Sequence, residues 1–211
     1  VVTGQNARSV EKLYRFYRKQ NFRWLQFIPC IDPFDRADGE PCYTLTADGY
    51  GDFLVRLFDL WFDDLRHGEY ISIRHLDNWL SILLGERPEA CNMAGCCSVQ
   101  FVVEGDGGVY PCDFYVLDEW RLGNIGETGL ADMQNSETAK RFVRQSLAVP
   151  EECKTCQWFG LCRNGCRRDR DILPNGVIGQ NIYCTAYKKF FSERFRQLAQ
   201  SIECIQRMQY R

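Results

Sequence analysis

The 211 residues carry 45% hydrophobic side chains and a formal net charge of −2. That length builds one large domain or two small ones around a real core, and the near-balanced charge, with no basic block, excludes a nucleic-acid footprint. No apolar run approaches the ~20 residues of a membrane span, and Val1-Val2-Thr3-Gly4-Gln5 has neither the charged nor the apolar region of a secretion signal. The chain begins without methionine and enters a helical pattern almost at once, which reads as a piece cut from something longer.

The first half reads as α/β. Ser9 is placed to cap a helix whose apolar face is Val10, Leu13, Tyr14 and Tyr17, ended by Lys19-Gln20-Asn21. Phe22 to Ile28 follows as a buried strand, stopped by Pro29 and the turn-rich Asp32-Pro33-Phe34-Asp35. Helix then strand is half of a βαβ unit. Two more helical patterns run from Thr46 to Asp64, with Phe53, Leu54, Leu57, Phe58, Trp61 and Phe62, and from Ser72 to Leu84, with Leu76, Trp79, Leu80 and Leu83. These aromatics are read as core, and His67 and His75 as surface or capping residues. Ser98–Glu104 and Gly108–Pro111 flank Gly105-Asp106-Gly107-Gly108, a hairpin signal. A last helix from about Thr185 to Met208 carries Tyr187, Phe190, Phe191, Phe195, Leu198, Ile202 and Ile205 on one stripe, expected to pack back across the first half.

The chain has twelve cysteines, eight of them between Cys91 and Cys166, with Cys184 following. Without a secretion signal such cysteines read as metal ligands of a reducing compartment; disulfides are the competing reading. Cys153, Cys156, Cys162 and Cys166 are spaced C-x2-C-x5-C-x3-C. Four thiolates satisfy a zinc ion or a four-iron cluster equally, so the spacing leaves both open. Upstream, the hairpin brings Cys97 and Cys112 together at its base. Cys30, Cys42 and Cys204 are read as buried small hydrophobes.

Cys97-x9-Gly107-x4-Cys112, the quartet at 153–166 and the lone Cys184 resemble the seven-cysteine pattern of the SPASM domain of radical S-adenosylmethionine (SAM) enzymes. Three stretches resemble the anaerobic sulfatase-maturating enzymes in particular: Cys97 to Ile125, Trp158 to Arg168, and Leu25 to Pro33, the last similar to the final strand of their barrel. The resemblance implies an α/β fold: the C-terminal part of a partial (β/α)6 radical SAM barrel, then a cysteine-rich SPASM domain with a β-hairpin, iron–sulfur loops and a long C-terminal helix. The implied limits are 1–35 for the barrel end, 36–90 for a helical connector, 91–190 for the SPASM domain and 191–211 for the last helix.

It also implies two auxiliary 4Fe-4S clusters with interleaved ligands, Cys91, Cys97, Cys112 and Cys166 for the first and Cys153, Cys156, Cys162 and Cys184 for the second. Cys97 is preferred to Cys96 because it keeps the hairpin spacing. The family oxidises a cysteine or serine of a sulfatase to Cα-formylglycine. A 5′-deoxyadenosyl radical removes a hydrogen atom from the substrate, a base takes the thiol or hydroxyl proton, and one electron leaves. The resemblance places the base on Asp113; a backbone- or cation-bonded structural carboxylate is the alternative. Arg163, Arg167 and Arg168 read evenly as tuners of the clusters or as a solvated or ion-paired face. Gln26 and Ile31 mark the strand end expected near S-adenosyl-L-methionine, with barrel closure as the plainer reading. The family's C-x3-C-x2-C motif, which holds the SAM-cleaving third 4Fe-4S cluster, does not occur in these residues, so the chain alone is expected to be inactive. The partners implied are an unfolded sulfatase segment bearing the target residue and an electron carrier such as a flavodoxin or ferredoxin, with no nucleic acid and no membrane, for a cytoplasmic monomer. Another SPASM-type peptide maturase, a zinc-binding module and a secreted disulfide protein are the competing readings.

Overall fold

The computed structural model describes residues 1–34, 43, 45–170 and 178–209. Asp35 and Cys42 therefore lie outside the described residues. The chain divides into two units, Val1–Ala90 with Ile182–Arg211, and Cys91–Asn181.

In the first unit, α1 (Val10–Lys19) buries Val10 and Tyr14. Ser9 stands at its N-cap, but its side chain makes no capping bond. Asn21 ends the helix in the left-handed region, at φ 58°. The strand expected over 22–28 contracts to β1 (Trp24–Leu25), which pairs in parallel with β2 (Ser72–Ile73). It is also not buried: Phe22 is 51% and Trp24 81% exposed. Further along, Val2 makes an isolated parallel bridge to Pro29, its N–H donating to the Ile28 carbonyl and its own carbonyl accepting from Cys30, both at 2.7 Å. Parallel pairings need long crossovers. The chain supplies α1 for one and α2 (Ala47–Arg66) for the other. The side chain of Thr46 caps α2 by accepting from the Gly49 amide.

The helix expected from Ser72 starts later, as α3 (Arg74–Leu83), because Ser72 and Ile73 are spent in β2. Asp77 fixes that junction by accepting from Ser72 Oγ at 2.6 Å and Tyr70 Oη at 2.7 Å. The last helix, α8, runs Cys184–Gln209 after four shorter α-helices of the other unit. As expected, it packs back on the first half. Phe190 lies between Phe58 of α2, with centroids 5.6 Å apart, and Trp79 of α3, at 4.7 Å. Gly51 permits close approach, since a Cβ there would sit 3.3 Å from the Ala186 Cα. Arg194 grips Asp59 with two bonds, at 2.7 and 3.0 Å. His75 is not a surface residue: its ring packs edge-on to Trp79 at 4.7 Å and stacks on Tyr187. His67 does cap the end of α2, through the Asp63 carbonyl. Cys30 and Cys204 are half-buried rather than buried.

The second unit is made of short pieces. The expected hairpin forms from β3 (Val102–Val103) and β4 (Gly108–Tyr110), with β5 (Gly123–Asn124) adding a third antiparallel strand. Gly107, at φ +80°, turns the hairpin where a Cβ would meet the Asn124 side chain at 2.9 Å. Helices α4 (Leu130–Asn135), α5 (Glu137–Ser146), α6 (Glu151–Lys154) and α7 (Phe159–Cys162) follow. Its core comprises two small groups: Val109, Leu122, Met133 and Ala139, and Tyr115, Trp120 and Phe142. The architecture is thus mixed α/β, with small sheets and a long C-terminal helix. Among the described residues no helix is long and apolar enough to cross a membrane.

Candidate iron–sulfur site

The cysteines of the second unit are delivered by local backbone geometry. The hairpin ladder extends past β3 and β4 through the Gln100 amide, which donates to the Pro111 carbonyl at 2.8 Å. That register brings Cys97 and Cys112 to its base, where both pack against Tyr115, Trp120 and Phe142. The Cys97 amide donates to Ser146 Oγ at 2.8 Å, tying the hairpin to the end of α5. Cys91 opens a 3-10 turn that leads into the same loop.

Cys162 ends α7, and the next three residues, Arg163, Asn164 and Gly165, all have positive φ, at 49°, 63° and 64°. Left-handed non-glycine residues cost about 1 kcal/mol each and persist only where neighbours hold them. Here Asn164, 1% exposed, accepts from the Asn181 amide at 2.9 Å and donates to the Gly179 carbonyl at 3.2 Å. Gly95 lets the upstream loop lie against this turn, because a Cβ there would stand 2.6 Å from the Arg163 carbonyl.

Cys97, Cys112 and Cys166 come within electrostatic reach of one another, and Cys91 within reach of Cys97. The Cys97 thiol feels Cys91, Cys112 feels Cys97, and Cys166 feels both Cys97 and Cys112. Burial pushes the Cys112 and Cys166 thiols up to about 12 and also raises Cys97, so without a cation the site holds its protons. A thiolate-bound metal displaces such protons. Ser146, Arg167 and Arg170 act in the opposite sense on Cys97, favouring the thiolate. The eleven described cysteines are thiols rather than disulfides. Among the described residues, no three or more His, Cys, Asp or Glu form a site for a metal ion. A four-iron cluster makes a different demand, one thiolate per iron around a cage. The chemistry of the donor set, thiols at Cys97, Cys112 and Cys166 with Cys91 beside Cys97 and buried arginines nearby, fits such an anionic group.

Of the second set, Cys153 is buried on α6, Cys156 and Cys162 are half-buried, and Cys184 opens α8 in the other unit. Cys96 is exposed beside Cys97. Asp113 is exposed; its Oδ1 accepts from the Phe114 amide at 3.1 Å and from the Cys112 thiol at 3.2 Å. Gln26 lines an open cleft of about 420 Å3 with Trp24, Ser72, Arg74, Asp77 and Asn78, whereas Ile31 is half-buried and does not line it.

The arginines are where sequence reasoning falls short. Arg167 and Arg168 are not a solvated face: they are 4% and 8% exposed. Arg170, which no pattern singled out, is 1% exposed and donates to the carbonyls of Cys166, Ser146 and Ala148. Ser146 was missed as well. A serine ending an amphipathic helix gives no hint that its hydroxyl meets a ligand loop.

Residues 91–157, with the hairpin and its cysteine-bearing loops, match the SPASM family, an iron–sulfur cluster-binding domain. The nearer kin are more particular. The chain is 47% identical, over 94% of its length and 53% of theirs, to the cysteine-type anaerobic sulfatase-maturating enzyme of Clostridium novyi (strain NT). It is 28% identical, over 90% of its length and 50% of the relative's, to the serine-type enzyme of Bacteroides thetaiotaomicron. Among solved structures, native anSMEcpe with bound AdoMet superposes with a TM-score of 0.92 at 43% identity, covering 97% of this chain and 56% of that one. The same enzyme with bound AdoMet and the Cp18Cys peptide gives 0.89 at 44% identity, covering 93% and 55%. Along nearly all of its length the chain is similar to anaerobic sulfatase-maturating enzymes, and it spans about half the length of the relatives it matches.

Proposed function

We propose that this chain is the auxiliary-cluster part of a radical SAM sulfatase maturase, which oxidises a side chain of a sulfatase segment to Cα-formylglycine. The convergence of Cys91, Cys97, Cys112 and Cys166 carries the reading. These four would hold the first auxiliary 4Fe-4S cluster. Cys153, Cys156, Cys162 and Cys184 would hold the second, an assignment that rests on the family spacing alone. The higher identity to cysteine-type than to serine-type enzymes favours a cysteine target. Reduced thiols favour a cytoplasmic setting, and a soluble one-electron carrier of the flavodoxin or ferredoxin kind suits the exit of the electron.

When bound, the clusters supply a one-electron acceptor beside the substrate. The chain's own share is the proton. Asp113 follows Cys112 directly and is exposed, so its carboxylate is placed to take the proton of a substrate thiol. Ligation of Cys112 removes the S–H that Asp113 now accepts from, so that its Oδ1 keeps only the Phe114 amide. Gln26, in the cleft by β1, would approach S-adenosyl-L-methionine; Ile31 belongs to the same segment.

The test uses the full-length protein under anaerobic conditions with S-adenosyl-L-methionine, a reductant and a sulfatase peptide bearing the target cysteine. Mass spectrometry is expected to find formylglycine, and Asp113→Asn to slow its formation by ~10²–10⁴-fold at unchanged iron content. A cross-linked or epimerised peptide would instead make this a different SPASM-type maturase.

A further inference from the structure

Directly after Cys166 the chain turns through Arg167–Asp169 in a 3-10 turn and buries guanidinium groups at both ends of it. Arg167 sits in a cage of three rings, its guanidinium carbon 4.8 Å from the Tyr115 centroid, 4.7 Å from Trp120 and 4.9 Å from Phe142. Its nitrogens donate to the Phe142 carbonyl at 3.1 Å and to Gln145 Oε1 at 3.0 Å. The ring faces attract such a charge and hold it in place. The same rings form the surface against which Cys97 and Cys112 pack. Arg167 and Arg170 both act on the Cys97 sulfur, and Arg170 acts on Cys166 as well. Asp169, beside Arg168 and Arg170, is the nearby carboxylate.

We propose that Arg167, held in the Tyr115–Trp120–Phe142 cage, is a positioning residue whose fixed positive charge raises the reduction potential of the cluster held by Cys91, Cys97, Cys112 and Cys166. This rests on the reading of those four cysteines as cluster ligands. A four-thiolate cluster is an anion and becomes more negative when it takes up an electron, so a nearby permanent cation favours the reduced form. Arginine suits the task because it is charged at every working pH and its flat fork stacks on aromatic faces. The cage keeps the charge from swinging into solvent. The consequence is a cluster biased to accept the electron that leaves the substrate.

The experiment is a redox titration, followed by electron paramagnetic resonance, of the anaerobically purified full-length protein with its clusters loaded. Iron and sulfide are measured first; their absence from the parent protein would remove the cluster reading itself, separately from the role of Arg167. With clusters present, Arg167→Gln is expected to weaken reduction of one cluster about tenfold, which is ~59 mV for a one-electron couple, and leave the others unmoved. Arg167→Lys is expected to recover most of that shift. Arg141→Gln, which removes the guanidinium stacked on the Trp120 ring, is expected to change nothing. If Arg167→Gln fails to load iron, replacement by citrulline keeps the shape and removes only the charge. Loss of iron from both neutral forms, with retention in Arg167→Lys, would support the charge as what holds the anionic cluster. An unchanged potential in a loaded neutral variant, or loss of iron from all three, would overturn the proposal and leave Arg167 as packing.

Discussion

The two units of this chain achieve order by different means. Val1–Ala90 with Ile182–Arg211 is built on long helices, and its interior is Phe53, Leu57, Phe58, Trp61, Trp79, Phe190 and Phe191, all nearly inaccessible. Among its described residues, Cys91–Asn181 has strands of two or three residues and no helix longer than ten. Of the eight described residues that are polar or charged and buried, six lie in it: Ser146, Asn164, Arg167, Arg168, Arg170 and Asn181. Apolar burial drives folding at ~25 cal/mol per Å2; buried cations and left-handed residues such as Arg163 and Asn164 work against it. The first unit has an ordinary apolar core. The second makes sense as a shell around a bound anionic group, whose binding energy becomes folding energy.

The sharpest way to break that contrast is to remove the iron. In cluster-free protein, hydrogen exchange is expected to lose most protection across 91–181, including β4 and α5, while α2 and α8 keep theirs. Equal protection in both units would mean that the second unit also folds on its own core. The converse perturbation strikes the aromatic core: Phe58→Ala is expected to cost ~3–5 kcal/mol, read by denaturant unfolding, with iron per chain unchanged in the folded fraction.

A pH series separates the units more gently. Burial among rings holds the His75 imidazole down to about 4, against its usual 6.5. Between those values the unfolded chain binds more protons than the folded one, so stability falls as pH is lowered through that window. The melting temperature of the helical unit is expected to drop from pH 7 to pH 5, and His75→Phe to flatten the slope. Smallest is the cap of α2: Thr46→Ala removes the acceptor for the Gly49 amide and is expected to cost ~1 kcal/mol.

The helices of the first unit were legible because their apolar residues recur at helical spacing over many turns, so α2 and α8 fall within a residue or two of their expected ends. The hairpin was legible from its glycines, whereas the ligand role of the cysteines rests on spacing and family resemblance. The strand over 22–28 was overread because an apolar run reports a preference for burial without saying what supplies it; Trp24 stays exposed. Ser72 and Ile73 were absorbed into a helix because two residues carry too little pattern to show a strand, and only pairing with β1 reveals it. Buried Arg170 and the cage around Arg167 had no sequence signal, since arginines near a ligand loop look alike whether solvated or enclosed. His75 was misplaced for a related reason: its neighbour Tyr187 is more than a hundred residues away in the chain.

The most direct measurement is iron, sulfide and zinc per chain after anaerobic purification, on the parent protein and on Cys166→Ala. For the residues of this chain, about eight iron and eight sulfide are expected, four per cubane cluster, with one cluster lost from Cys166→Ala and the other retained. Stoichiometric zinc without sulfide, in protein never exposed to oxygen, would contradict the account and leave a zinc-binding module in its place.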